Sequence, residues 1–372
     1  MRVLELLSSP AWTGPAEPMV SVARALVRRG HEVEIAVDTR REGDLRERLA
    51  AEGFPPRADL VLSTKAGPLA FAGDVVRLRR VARGFDVVHA NFSHDHALAL
   101  LALVPRGGRR VVRTLHSSRS LADRGLQGLA HRRTDGLVAV CEAHARILRD
   151  RFGVAPERVL AIRGAVDADA FRPEGPDLRA ELGIPDGAPV AGIVSRVKPD
   201  RRHADLVDAF ATVAGALPAA RLVVVGRGEG MDEVRARVEA RGLTGRVVFA
   251  GYRRGPELAA AYRTLDAKVL LAEGNDGTCR ALLEAMASGR PGIAYRFGAP
   301  AESVVDGECG RLVPEGDVAA LAAAIVEVLS DLPGARAMGR AARRRVQALH
   351  TEEARGAAVE AFLRRVRELP PA

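Results

Sequence analysis

Aromatic residues are scarce in this 372-residue chain, at 4%. A surface that stacks successive bases of single-stranded nucleic acid needs such rings, and no recognisable nucleic-acid motif stands in for them, so no nucleic-acid partner is expected. Cysteine is scarcer. Cys141, Cys279 and Cys309 show no metal-ligand spacing and, being three, cannot all pair. That excludes a disulfide scaffold and suits a reducing cytoplasm. No apolar run approaches the roughly 20 residues that span a bilayer as a helix. The opening MRVLELL reads as a short strand, not a signal peptide.

What the chain has instead is small apolar residues and basic charge. Hydrophobic residues make up 47% and charged residues 28%, the composition of a soluble globular protein. The length exceeds one ordinary core and predicts two domains. A net charge of +9 asks for an anionic partner: a membrane surface, an anionic substrate or nucleic acid. Residues 71–84 gather Arg77, Arg79, Arg80 and Arg83 among apolar residues, a basic amphipathic helix. A solvated face is its default reading, and peripheral contact with an anionic membrane is the alternative.

The opening alternates strand and helix. Met1 to Leu7 is a strand, and Met19, Val22, Ala23, Leu26 and Val27 recur at helical spacing until Gly30. His31 to Thr39 is the next strand, so a parallel α/β domain is predicted. Further strands are read at 86–90 and in RRVVRTLHSS, which ends at His116. Open α/β sheets place their sites at such carboxyl ends. The Pro- and Gly-rich stretch 171–190 reads as a linker between a domain of residues 1–170 and one of residues 191–350. In the second domain, VAGIVSRVKPDRRHADLVDAF is a strand, a basic loop and a helix. ARLVVVGRGEG ends in Gly226, Gly228 and Gly230, whose spacing is not that of a dinucleotide fingerprint.

The most informative stretch is DGTCRALLEAMASGRP, residues 276–291. Asp276 or Thr278 caps a predicted helix, and Gly289 with Pro291 ends it. Its body is apolar nearly all round, which predicts burial. Glu284 is the exception. A buried carboxylate costs several kcal/mol or so unless it is paired. Either an Arg elsewhere in the fold satisfies it, or a ligand with two donors, such as a ribose diol, does so. The helix N-terminus offers N–H groups to an anion. Asp276 precedes Glu284 by eight residues, about 12 Å at the helical rise.

An acidic residue, seven residues, then Glu followed by Ala-Met-Ala-x-Gly-x-Pro resembles the signature of glycosyltransferase family 4, retaining enzymes of the GT-B fold. The resemblance implies two Rossmann-like α/β domains with parallel sheets facing across a cleft, and a terminal helix, residues 351–367, that crosses back to the first. It implies hexosyl transfer from a nucleoside diphosphate sugar to a glycan or lipid-linked acceptor, as in cell-envelope or polysaccharide synthesis. No cofactor beyond the donor substrate and no metal are implied, so His89, His94, Asp95 and His96 are read as a polar turn. Asp276 takes the first acidic position, where the family usually has Glu, and Glu273 stands three residues earlier.

Carried onto this sequence, Glu284 holds the donor ribose. Asp276, with Gly277 and Thr278, lies at the transferred sugar and diphosphate, and His116 contacts the sugar. Arg196 and, five residues on, Arg201 in place of the family's Lys meet the diphosphate. Gly14 belongs to a glycine turn near the donor phosphate, although Pro15 after it carries no N–H. Gly251-Tyr252 lies where the backbone meets the nucleotide base. A non-catalytic sugar-nucleotide-binding protein of the same fold, or a basic nucleic-acid-binding protein, is the alternative.

Overall fold

The computed structural model describes residues 1–122, 126–273 and 276–372, with the side chains of residues 276–278 outside the description. The chain forms two compact units. Met1–Gly164 with Glu352–Ala372 make the first, and Ala165–Thr351 the second.

In the first unit, six strands, β1 Arg2–Leu7, β2 Glu32–Val37, β3 Val87–Ala90, β4 Arg110–Leu115, β5 Gly136–Ala139 and β6 Val159–Ala161, pair in the order β2-β1-β3-β4-β5-β6. Every pairing is parallel. Val3, Leu4, Val87, Val88, Val111, Val112 and Leu137 are fully buried, as expected of strands covered on both faces. The order reverses between β1 and β3, the point where such sheets open a crevice at their carboxyl edge.

The terminal helix Glu352–Glu368 belongs to this unit. It lays Val359, Phe362, Leu363 and Val366 against Val3, Val87, Val112 and Val138. It also packs on the helix Ala16–Arg28, where a Cβ at Gly356 would lie 2.3 Å from that of Ala25, so only glycine permits the approach. Arg24 to Glu352 at 2.6 Å and Arg29 to Glu353 at 2.5 Å tie the two helices at their rim.

The second unit holds β7 Val190–Val194, β8 Arg221–Val225, β9 Val247–Gly251, β10 Ala267–Leu270, β11 Gly292–Tyr295 and β12 Gly310–Val313, paired in parallel in the order β12-β11-β10-β7-β8-β9. Here the order reverses between β7 and β10. The stretch 171–190, read from its composition as a linker, lies inside this unit. Phe171, Leu178, Ile184 and Ala188 are buried in one core with Tyr262 and Leu265, and the division between units falls at Gly164 and Ala165. Proline and glycine shape an irregular segment there whose widely spaced apolar residues still reach the core.

Candidate functional site

In the second unit, the sequence candidates come from carboxyl-edge loops of one sheet. Arg196 and Arg201 follow β7, Tyr252 follows β9, and the helix Asp276–Ala287 follows β10. Because β7 and β10 pair directly, the basic loop and the start of that helix flank the strand-order reversal. That is where open α/β sheets bind phosphate-bearing ligands.

The basic loop is held by close backbone packing. Ser195 N–H donates to Val225 O at 3.0 Å and Val197 N–H to Arg227 O at 3.1 Å. A Cβ at Gly226 would meet Ser195 O at 1.9 Å, and one at Gly228 would meet Val197 O at 2.1 Å. The glycine turn therefore seats the loop that carries Arg196, a role its spacing alone did not reveal.

Several of the loop's cations are occupied. Lys198 pairs with Glu229 at 3.3 Å, and Arg202 with Glu315 at 2.5 Å. Arg202 is a non-glycine residue at φ 55°, between the 3-10 turn Pro199–Arg201 and the helix His203–Ala216. His203 is buried, and burial with the nearby Lys268 and Arg201 charges lowers its pKa to about 4, so it is neutral at pH 7. Arg196 is exposed and makes no ion pair among the described residues. Arg201 meets exposed Asp200 at 3.4 Å, while its buried Nε has no hydrogen-bond partner among them. Charge on these two guanidiniums is available to an anion.

The helix Asp276–Ala287 starts at Asp276, so Thr278 lies in its first turn instead of at the cap. The side chains of Asp276, Gly277 and Thr278 lie outside the described residues. At the other end Gly289, at φ 73°, closes the helix as expected: its N–H donates to Met286 O and that of Arg290 to Ala285 O. Arg343 adds hydrogen bonds from Nη1 to Ala287 O at 2.5 Å and to Phe171 O and Ala168 O.

Glu284 is 5% exposed and has protein partners. Arg280 Nε donates to Oε1 at 2.9 Å, and the fully buried Tyr262 hydroxyl donates to Oε2 at 2.7 Å. Of the two ways to satisfy this carboxylate, an arginine is realised, one turn earlier on the same helix. The i, i+4 spacing of Arg280 and Glu284 was a readable signal for it. Tyr262 comes from a separate helix, Gly255–Thr264, and had no local signal.

Beneath them lies Lys268, on β10 and 0% exposed. Its Nζ donates to Val269 O at 2.5 Å. Burial lowers its pKa to about 7, against the opposing pull of the Glu284 charge. Tyr252 is exposed at the end of β9, with the Arg227 guanidinium 4.7 Å over its ring, and Gly251 before it has φ 69°.

The first unit carries the other two candidates. Gly14 is exposed just before the helix Ala16–Arg28. That helix offers an anion few donors: Pro15 and Pro18 have no N–H, and Ala16 N–H donates to Thr13 O at 3.0 Å. His116, 9% exposed, follows β4 at the carboxyl edge, and its Nε2 lies 3.0 Å from Asn91 Oδ1. Of the neighbouring polar residues, His94 has a buried Nε2 with no hydrogen-bond partner among the described residues, and the others are held by protein groups. His89 sits between Glu5 and Thr114, Asp95 accepts from Ser8 N and Phe92 N, and His96 lies between Arg113 and Thr134. Among the described residues, no group of three or more His, Cys, Asp and Glu side chains is arranged to hold a metal ion.

Two six-stranded parallel units with their candidate residues at the carboxyl edges define a GT-B type α/β protein. Glycosyltransferase Family 4 matches residues 14–170, and Glycosyl transferases group 1 matches residues 175–345. A GDP-mannose-dependent alpha-mannosyltransferase of Mycobacterium tuberculosis is 33% identical over 339 residues, covering 83% of this chain and 82% of its own length. A phosphatidyl-myo-inositol mannosyltransferase of Mycolicibacterium smegmatis is 28% identical over 340 residues, covering 86% and 81%. The solved structure of Anabaena HepE with UDP matches at a TM-score of 0.83 and 21% identity over 98% of this chain and 100% of that one. This chain belongs to the group 1, family 4 glycosyltransferases.

Proposed function

We infer that this protein is a glycosyltransferase that moves a hexosyl unit from a nucleoside diphosphate sugar to a glycan or lipid-linked acceptor in cell-envelope biosynthesis. The observation that carries this is the similarity to the mannosyltransferases over more than four fifths of both chains. The strand-order reversal between β7 and β10, with Arg196 and Arg201 on one side and a helix N-terminus on the other, supports it. Positive charge and oriented N–H groups there stabilise the departing diphosphate as its charge develops. No divalent cation is required in this reading. Asp276 and His116 hold the transferred sugar, Glu284, already hydrogen-bonded by Arg280 and Tyr262, also meets the ribose, and Tyr252 lies by the base. Transfer proceeds with retention, as the family resemblance implies.

GDP-mannose is the donor we propose first, because relatives named for it recur among the similar proteins. The test is thermal shift against GDP-mannose, UDP-glucose and ADP-glucose, followed by nucleotide release with a phosphatidylinositol acceptor. A donor at about 100 times its Kd stabilises the native state by roughly 2.7 kcal/mol, a readable shift. No shift and no nucleotide release with any donor would refute the catalytic reading.

The acceptor class suggests action at the inner face of the cytoplasmic membrane. The helix Gly67–Val81 supports peripheral contact: Leu69 is 90% and Val76 63% exposed on one stripe, with exposed Arg79, Arg80 and Arg83 alongside. Exposed apolar residues among cations suit an anionic bilayer surface. Co-sedimentation with phosphatidylglycerol vesicles, lost in Arg79→Glu/Arg80→Glu and absent with neutral vesicles, is the expected result. Equal binding to both vesicle types would count against it.

A further inference from the structure

On the first sheet, beneath the helices Ala16–Arg28 and Glu352–Glu368, a buried chain of polar side chains ends at His116. Glu5, on β1, is 0% exposed. Its Oε1 lies 2.8 Å from His89 Nδ1, and its Oε2 accepts from Asn91 Nδ2 at 2.9 Å. The same Asn91 nitrogen donates to Leu6 O at 3.1 Å. Both neighbours of that nitrogen, a carboxylate and a backbone carbonyl, are acceptors. The amide can therefore be placed only one way round, with Oδ1 toward His116. An oxygen 3.0 Å from His116 Nε2 requires a proton on that nitrogen. In the neutral ring Nδ1 is then an acceptor. Glu5, Asn91 and His116 also wall one small cavity, with Arg355 of the terminal helix.

A carboxylate buried at the centre of a parallel sheet is costly to keep, and the sheet needs only an apolar residue there. We propose that Asn91, anchored by Glu5, is a positioning residue for His116. It fixes the Nε2–H tautomer and the plane of the imidazole that is proposed above to contact the transferred sugar. The proposal rests on His116 being the sugar-contacting residue of the function proposed above. It adds two residues, Glu5 and Asn91, that act only through the imidazole.

The test uses the full chain and GDP-mannose, reading GDP release, melting temperature and the ring-nitrogen chemical shifts of His116. His116→Ala tests the underlying reading, and unimpaired turnover in that variant would overturn it. In Asn91→Leu the expected result is a kcat lower by about 10- to 100-fold, the scale of a misplaced catalytic group, with KM for GDP-mannose little changed and a mixture of tautomers at His116. Full kcat with the Nε2–H tautomer intact in folded Asn91→Leu would overturn the proposal. Where Asn91→Leu does not fold, Asn91→Asp is compared with Asn91→Asp/Glu5→Gln. The single variant sets two buried carboxylates against each other. The double variant returns a donor beside the new carboxylate, which still accepts from His116. Recovery of kcat and of the Nε2–H tautomer in the double variant is expected, and a folded double variant without recovery would overturn the proposal.

Discussion

Lys268 gives a prediction whose size follows from its surroundings. It is fully buried on β10, its pKa falls from 10.5 to about 7 by burial, and that value already contains the attraction to Glu284. In the unfolded chain the amine titrates near its ordinary value, so between about pH 7 and 10.5 the unfolded state binds more protons than the folded one. Stability therefore rises with pH across that window, and the gain is lost progressively as pH falls from 10.5 to about 7, below which both states hold the proton. The full difference between 10.5 and about 7 corresponds to about 5 kcal/mol. Methionine fills similar space without the charge, so Lys268→Met removes this cost. Replacing a buried charge by a well-packed apolar side chain is often stabilising by about 1–4 kcal/mol. The variant should be more stable than wild type at pH 6, and the gap should shrink by about 2–3 kcal/mol between pH 7 and 9. Urea unfolding of both proteins at pH 6, 7, 8 and 9 measures it. A gap that stays constant over that range would show that the amine keeps its ordinary pKa and would refute the argument.

Glu284→Gln should weaken binding of the nucleotide donor by about 1.5–3 kcal/mol, the worth of a charge-assisted hydrogen bond, as read by calorimetry. Unchanged affinity in the folded variant would mean that Glu284 serves the protein's own fold and not the donor. Turnover should persist in EDTA, because the cations assigned to the diphosphate are Arg196, Arg201 and a helix N-terminus. Loss of activity restored by magnesium or manganese would count against that assignment.

The parts legible in the sequence were those written in local pattern. Alternating strand and helix signals foretold the parallel sheets, and Gly289 before Pro291 marked where the helix of Glu284 stops. The basic loop after β7 was visible as a cluster, but which of its cations are occupied was not, because Glu229 and Glu315 come from distant loops. Composition misled at 171–190, where proline and glycine suggested a linker although Phe171, Leu178 and Ile184 reach a shared core. Tyr262 beneath Glu284 and Asn91 beside His116 come from 22 and 25 residues away. Contacts at that separation are fixed by the sheet order, which no residue pattern along the chain states.

The register of the acidic motif is open to a direct comparison. Asp276 begins the helix that carries Glu284, while Glu273 lies ahead of it in the loop after β10. The backbone of Glu273 already has a structural role. Its carbonyl accepts from Ala299 N–H at 3.1 Å, and a Cβ on Gly298 would come within 2.0 Å of that oxygen. Glu273→Gln keeps this backbone contact and the size of the side chain, and should leave turnover unchanged. Asp276→Asn keeps the size and shape of the side chain in the first turn of the helix and removes only its charge, so the melting temperature should change little while turnover falls. Gly298→Ala supplies the control on loop position. Gly298 sits at φ 60°, a conformation that costs a residue with a Cβ about 1–2 kcal/mol, and the added methyl must push the Glu273 carbonyl away. Glu273 stands three residues before Asp276 in the chain, so Gly298→Ala should lower both melting temperature and turnover. If Glu273→Gln abolishes turnover at an unchanged melting temperature while Asp276→Asn leaves it intact, then Glu273 is the acidic residue at the sugar and the assignment of Asp276 is wrong.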